Sequence, residues 1–464
     1  MPLDYTTYLS PFTWRYGSQE MRQVWSEVNK RRLWRQLWVA LADVQMNYGL
    51  VSLAQFEDLR LHMSEVDVER ALAIEAEIHH DLMAELKTFA EQAPLGGGIL
   101  HLGATSMDIE DNADVLRTRK ALELVLERLK TLLLMLADKI EATADVQVMA
   151  FTHLQPAEPT TLGYRLAQVA QDLLLDWEAL GRVQRGLKGK GFKGAVGTSA
   201  SYAELLGGAE HLLEFETRLS AALGLPFYAV STQVYPRKQD YAVLSALTGL
   251  GGSLYKFAFD LRILQSPAFG ELSEPFGRQQ VGSSAMPFKR NPINAEKIDS
   301  LARALAQMPR LAWDNAAHSL LERTLDDSAN RRTLLPEAFL IVDELLITMG
   351  RIIRGLVIQQ YAVEHNFMIY APFAAVERVL MALGKAGADR QAMHERLRQH
   401  ALDAWSEVQA GRAIPLIDRI AADLVLQTYL SEDALRSMMD AAAHLGDAPA
   451  RAHQMALTIR STCS

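Results

Sequence analysis

Cysteine is almost absent from this chain. Among 464 residues there is one, Cys463. A single thiol excludes an intrachain disulfide framework and a cysteine-built metal site. An excess of basic residues is also missing. Lysine and arginine total 47 against 56 acids, for a net charge of −9. That argues against a nucleic-acid or polyanion surface, although a local cationic pocket can still hold a small anion. Long apolar runs are lacking too. The most apolar tract, TLLLMLADKI, is interrupted by Asp138 and Lys139 and is too short to span a bilayer. The opening MPLDYTTYLSPF has no basic region followed by an apolar stretch, so no secretory signal is expected. Alternating strand patterns are scarce. A soluble, reducing, cytoplasmic setting follows as the expectation.

Helical periodicity is what the chain does have. Hydrophobic residues make up 49% of it and charged residues 22%, enough apolar content for a sizeable core. Leu122, Val125, Leu126, Leu129, Leu132, Leu133, Leu136 and Ile140 recur in steps of three and four, tracing one face of a helix of about 30 residues. A second helix is expected to begin at Pro159, since proline suits a first helical turn, with Leu162, Leu166, Val169, Leu173, Trp177 and Leu180 on its apolar side. A third is expected over about 240–264, a fourth after Pro292, and a fifth from Ser328, whose hydroxyl can cap it. The pattern predicts an all-α protein built on a large bundle. Texture suggests three helical domains: 1–105 with shorter helices, a central long-helix bundle over 106–358, and an alanine-rich 359–464. Helices this long bury only part of their apolar surface within one chain, which points to oligomerisation.

Four irregular segments interrupt the bundle. HLGATSMDIEDN (101–112) places the hydroxyls of Thr105 and Ser106 at a helix start, where they can bind a carboxylate or phosphate or simply cap the helix. FTHLQPAEPTT (151–161) holds His153, either a proton donor or a loop-stabilising hydrogen bonder. GSSAMPFKRNP (282–292) is glycine- and serine-rich and can close over a ligand. Lys289 and Asn291 supply donors for a developing oxyanion, and a nearby cation makes a serine alkoxide accessible. The plainer reading is a solvated basic loop. ERTLDDSANRR (322–332) offers Arg323, Ser328 and Arg332 to a phosphate, unless Asp326 and Asp327 neutralise the arginines. Two shorter pieces place Arg15 beside Tyr16 and His80 beside Asp81. His79 and His80 are adjacent, which is not metal-ligand spacing on a helix.

Together these segments resemble the fumarase/aspartase superfamily and, within it, the adenylosuccinate lyase family. GSSAMPFKRNP resembles the superfamily signature. WRYGS, HHD, HLGATS, FTHLQPAEPTT, KGFKGAVGTSAS, TQVYPRKQD and ERTLDDSANRR follow the family's order. The resemblance implies a helical homotetramer with a twenty-helix core and active sites shared between chains. It implies β-elimination of fumarate from adenylosuccinate, giving AMP, and from the succinyl-carboxamide imidazole ribotide (SAICAR), giving AICAR. No cofactor, metal, nucleic acid or membrane partner is implied. By position, Ser283 is the base and His153 the acid on the departing nitrogen, with Lys289, His80 and Glu296 beside them. Ser284, Lys289, Asn291, Thr105 and Ser106 would hold the succinyl carboxylates. Arg15, Tyr16, Arg323, Ser328 and Arg332 match the phosphate-binding set, and Asp81, Thr152 and Gln233 match further pocket positions. His79 stands where the family usually has Arg or Lys, and Tyr164 where a lysine is common. Other lyases of the superfamily, acting on other N-succinyl compounds, on argininosuccinate or on carboxymuconate, are the competing readings. A helical scaffold without catalysis is the remaining one.

Overall fold

The protein is described by a computed structural model covering residues 6–463. Residues 1–5, part of the opening stretch read for a secretory signal, lie outside the described residues, as does Ser464. The described chain is built almost wholly of helices. Its contacts divide it into two compact units, each gathered from three separate stretches. One comprises Met1–Leu129, Leu175–Leu254 and Ser300–Ile347. The other comprises Lys130–Leu174, Tyr255–Asp299 and Thr348–Ser464. The long helices Ser106–Ala142, Leu162–Gly186, Lys238–Leu264 and Asp326–Arg354 each contribute residues to both.

The expected helices form, with three shifts. The first is longer than expected, at 37 residues, because its polar first turns precede the apolar ladder. The second begins at Leu162, not at Pro159. Pro159 instead lies in the strand Gln155–Thr161, opposite Met149 next to a bulge. A two-stranded sheet has only edges, and an edge strand tolerates the missing proline N–H. The fifth helix begins at Asp326, so Ser328 sits inside its first turn and does not cap it.

In the first unit, short helices carry their own stops and starts. Ser18, Ser26, Ser52, Asp67 and His80 each accept a backbone N–H at a helix N-terminus. Glu27–Met46 buries Trp34, Leu37, Trp38 and Leu41. It also buries Arg31 and Arg35, which both pair with the fully buried Glu85 at 3.1 and 2.6 Å.

In the second unit, the hairpin Gln147–Thr152/Gln155–Thr161 packs under Gln360–Lys385. Met149 joins Ala375, Val379, Leu383, Leu397, Leu416, Ile420 and Leu435 in one apolar cluster. Arg165 ties this unit together, donating to Glu271 at 2.9 Å and to the Met149 carbonyl. Two helices, Lys238–Leu264 and Gln360–Lys385, are long and apolar enough to cross a membrane by length and composition. The first carries the exposed pair Lys256–Asp260 at 2.9 Å, which lipid would make costly.

Candidate active site

The segment HLGATS is fixed before the longest helix begins. Trp38 Nε1 donates to His101 Nδ1 at 3.1 Å, and Gln45 Nε2 donates to the Leu102 carbonyl at 2.9 Å. Gly103 has φ +79°, and a Cβ there would meet Leu205 at 2.7 Å, so only glycine fits. Asp108, fully buried, then gathers donors. Its carboxylate accepts from the Lys190 ammonium, from the Lys193 N–H at 3.1 Å and from the Thr105 N–H at 3.0 Å. Thr105 and Ser106 are thereby set at the N-terminus of Ser106–Ala142, beside the KGFKG segment. Unpaired N–H groups at such a terminus suit an anion.

In the same unit, Asp81, Arg323, Ser328 and Arg332 line one cavity of about 140 Å³. Arg332 donates to Asp81 at 2.8 Å. Burial alone would raise the Asp81 carboxyl, but the Arg332 guanidinium outweighs it and holds the carboxyl below its usual range. Arg323 donates to Asp327 at 2.8 Å, as the neutralised-arginine reading anticipates. Asp327, however, has a second cation. Arg237, fully buried, reaches it at 2.7 Å and bridges to Asp111 at 3.0 Å. Asp327 therefore keeps a partner if Arg323 turns toward a ligand.

Arg15 and Tyr16 also belong to this unit. Arg15 is exposed, its guanidinium over the Trp14 and Tyr16 rings at 5.6 and 6.0 Å. His80 caps the helix Asp81–Gln92, its Nδ1 accepting from the Met83 N–H at 3.4 Å. His79 before it takes up the left-handed region at φ +54°. The Gln233 N–H donates to the Glu322 carbonyl at 3.1 Å, which ties the TQVYPRKQD segment to ERTLDDSANRR.

Ser283, Ser284, Lys289, Asn291 and Glu296 fall in the second unit, as do Thr152 and His153. The GSSAMPFKRNP segment has no regular structure and folds back on itself. A Cβ on Gly282 would strike the Lys289 carbonyl at 1.9 Å, and Asn291 Nδ2 donates to the Gly282 carbonyl at 3.0 Å. Ser283 Oγ accepts the N–H groups of Met286 at 3.1 Å and Ala285 at 3.3 Å. Donors aimed at an oxygen favour its deprotonated form. Ser284 and Lys289 are exposed. The loop ends where Glu274 accepts from the N–H groups of Asn294 and Ala295, capping the helix Ile293–Leu305. On that helix Glu296 faces Arg262 at 4.0 Å. Thr152 and His153 are exposed at the tip of the hairpin. His153 and Leu154 form its two-residue turn, both with positive φ, +54° and +58°. A non-glycine pair in that conformation stores strain, and such strain concentrates at functional sites.

Several groups around the cavity escaped the sequence reading. Trp25, Lys30, Glu110, Arg117 and Arg331 line it as well. A signal was present: Met107, Glu110, Asp111 and Asp114 follow i, i+3, i+4, i+7 spacing, an acidic stripe where a core face is expected. In the second unit, ligand atoms of Glu158, Glu377 and His444 lie within 4.8 Å of one another. A hydrogen bond from Glu377 raises the Glu158 carboxyl above its usual range. Residues so far apart in the chain carry no spacing signal, and both glutamates are exposed.

Comparison with known proteins places these features. Residues 25–306 match the family described as Lyase, and residues 372–454 match that described as Adenylosuccinate lyase C-terminus. The adenylosuccinate lyase of Schistosoma mansoni is 39% identical, over 90% of this chain and 88% of its own. The chain belongs to the adenylosuccinate lyase family. The Saccharomyces cerevisiae adenylosuccinate lyase is 38% identical, over 96% of this chain and 93% of its own, and that of Pyrococcus abyssi is 35% identical, over 92% and 93%. Solved structures reach further, across the fold alone. The 3-carboxy-cis,cis-muconate lactonizing enzyme from Pseudomonas putida superposes with a TM-score of 0.84 at 24% identity, covering 97% of this chain and 99% of that one. A fumarate lyase from Mesorhizobium sp. BNC1 gives the same TM-score, identity and coverage. The helical architecture is thus shared beyond the adenylosuccinate lyase family.

Proposed function

We infer that the chain is a carbon–nitrogen lyase that releases fumarate by β-elimination, from adenylosuccinate to give AMP and from SAICAR to give AICAR. The observation that carries this reading is the cavity built by Arg323, Ser328 and Arg332 in a chain of the adenylosuccinate lyase family. Those residues have no task in breaking a C–N bond, and they suit a nucleotide phosphate.

The reaction needs a base, an acid and carboxylate holders. Ser283 takes a proton from the carbon next to a succinyl carboxylate, whose extra negative charge forms an aci-carboxylate. The two N–H groups at Ser283 Oγ support its alkoxide. Ser284, Lys289 and Asn291, with Thr105 and Ser106, hold the carboxylates. The C–N bond then breaks, its electron pair goes to nitrogen, and the new C=C bond completes fumarate. His153 protonates the departing nitrogen. His80 and Glu296 assist these groups. Arg15 and Tyr16 join the phosphate set, and Asp81, Thr152 and Gln233 complete the pocket. The enzyme is soluble and cytoplasmic. It works as a homotetramer that buries the outer faces of the long central helices (the 106–358 part of a three-domain chain) and shares its active sites between chains.

The decisive experiment is the ultraviolet change as adenylosuccinate becomes AMP, with purified protein and no additives. Turnover supports the assignment. Efficient cleavage of an unphosphorylated succinyl compound, with none of adenylosuccinate, rejects it.

A further inference from the structure

We propose that Glu110 is a further substrate-binding residue of the nucleotide cavity, where its neutral carboxyl group donates a hydrogen bond to a phosphate oxygen. This rests on reading the cavity as a phosphate site. Glu110 lines it together with Arg323, Ser328 and Arg332. Its acidic neighbours there are engaged. Asp81 holds Arg332 at 2.8 Å, Asp111 holds Arg237 at 3.0 Å, Asp114 holds Arg117 at 3.1 Å, and Glu27 holds Lys30 at 2.7 Å. Among the described residues Glu110 makes no hydrogen bond or ion pair, and it is half-buried beside these groups. An unpaired carboxylate beside three aspartates is costly, which favours the protonated form. Burial, then Asp81, Asp114 and Asp111, push the Glu110 carboxyl up to about 8, against the opposing pull of Arg332.

The neutral acid differs from its neighbours in one way: it can donate. An ionised Glu110 would repel the phosphate, whereas the protonated form adds a donor to the arginines and the serine hydroxyl. The cavity is then matched to its ligand only while Glu110 is neutral. Above pH 8 the group ionises and a dianionic phosphate binds less well. Binding must in turn restore the proton, so it is accompanied by proton uptake. The other charged groups facing the cavity are Glu27 and Lys30 from one helix, Asp81 from a second, Asp111, Asp114 and Arg117 from Glu110's own, and Arg323, Arg331 and Arg332 from around the start of Asp326–Arg354. His80 adjoins Asp81.

The test is calorimetric titration of AMP into the full-length protein between pH 7 and 9.5, in two buffers of different ionisation heat. The phosphate is mostly dianionic at pH 7 and wholly so above pH 8, its second pKa being about 6. For the native protein, affinity falls by up to about tenfold per pH unit above 8, with net proton uptake. Glu110→Gln, neutral at every pH and still a donor, binds as the native protein does at pH 7 and shows neither the alkaline loss nor the uptake. Glu110→Ala binds roughly tenfold or more weakly at pH 7. An alkaline loss that persists unchanged in Glu110→Gln assigns the titration to another group and overturns the proposal. So does native affinity in Glu110→Ala, or an alkaline loss equally large for adenosine, which has no phosphate. A native protein that neither binds AMP nor cleaves adenylosuccinate overturns the phosphate reading of the cavity itself, and Glu110 with it.

Discussion

Ser283 carries the proposed proton abstraction with two backbone N–H groups already directed at its oxygen. Ser283→Ala keeps the backbone turn and removes that oxygen. Steady-state assays should then show turnover lowered about 10²–10⁴-fold with substrate still bound. Near-native turnover in this variant would remove Ser283 from the mechanism. Arg323 tests the other end of the substrate. Its partner Asp327 retains Arg237 at 2.7 Å, so Arg323→Ala leaves no buried carboxylate unpaired. Loss of a charge-assisted bond of about 1.5–3 kcal/mol lowers kcat/KM for adenylosuccinate about 10–150-fold. Succinyladenosine, which lacks the phosphate, should be a poor substrate for the native protein and hardly worse for the variant. Equal losses on both compounds would make Arg323 a structural residue.

At the scale of elements, Asp423 joins the helix Arg390–Gln409 to the start of Leu424–Gln427. It accepts from Arg396 at 2.5 Å, His400 at 2.6 Å and the Val425 N–H at 2.8 Å. Burial alone would raise its carboxyl, but these donors outweigh it and lower the carboxyl to about 2. A depressed carboxyl contributes stability that is fully present above its unfolded value near 3.8 and is lost as pH falls through 2. Urea unfolding should find Asp423→Asn destabilised by about 2 kcal/mol at pH 7, with a smaller difference at pH 3. A difference that does not shrink on acidification would show that the carboxylate charge is not what joins these helices. The buried Glu85 follows a different rule. Glu85→Ala strands Arg31 and Arg35 without their shared carboxylate, and the unfolding free energy should drop by about 3–5 kcal/mol. A loss under 1 kcal/mol would mean that water or Glu75 replaces it.

For the whole molecule the prediction is quaternary. The chain leaves large apolar side chains exposed on its long helices, among them Leu175, Phe259, Tyr361 and Met368. Ser283 and His153 lie in one unit, and the residues of the phosphate cavity lie in the other. The proposed tetramer with shared sites would bury the first set and bring the second together from different chains. Light scattering at working concentration should give four chains, and a fully active monomer would refute this. Ser283→Ala and His153→Ala, each inactive alone, should regain part of the activity when their subunits are exchanged. No recovery after verified exchange would count against shared sites.

The sequence by itself determined the long helices, because apolar steps of three and four over 20 or more residues permit little else. It also marked four loops as candidates for chemistry, by the hydroxyls, the histidine and the adjacent cations that interrupt the apolar periodicity. What it could not place were boundaries and partners. Pro159 reads locally as a helix start, and only its pairing with Met149 makes it a strand residue. Ser328 reads as a cap until Asp326 is seen to begin the helix. Arg323 and Arg332 read alike, yet one faces an aspartate four residues away and the other an aspartate 251 residues away. Glu110 shows the limit most plainly. Its helical spacing is written in the chain, but the upward push on its carboxyl comes from burial first and then from Asp81, Asp114 and Asp111, which the tertiary structure packs around it. Periodicity is a local property of the chain, whereas burial and charge pairing are properties of what folding brings near.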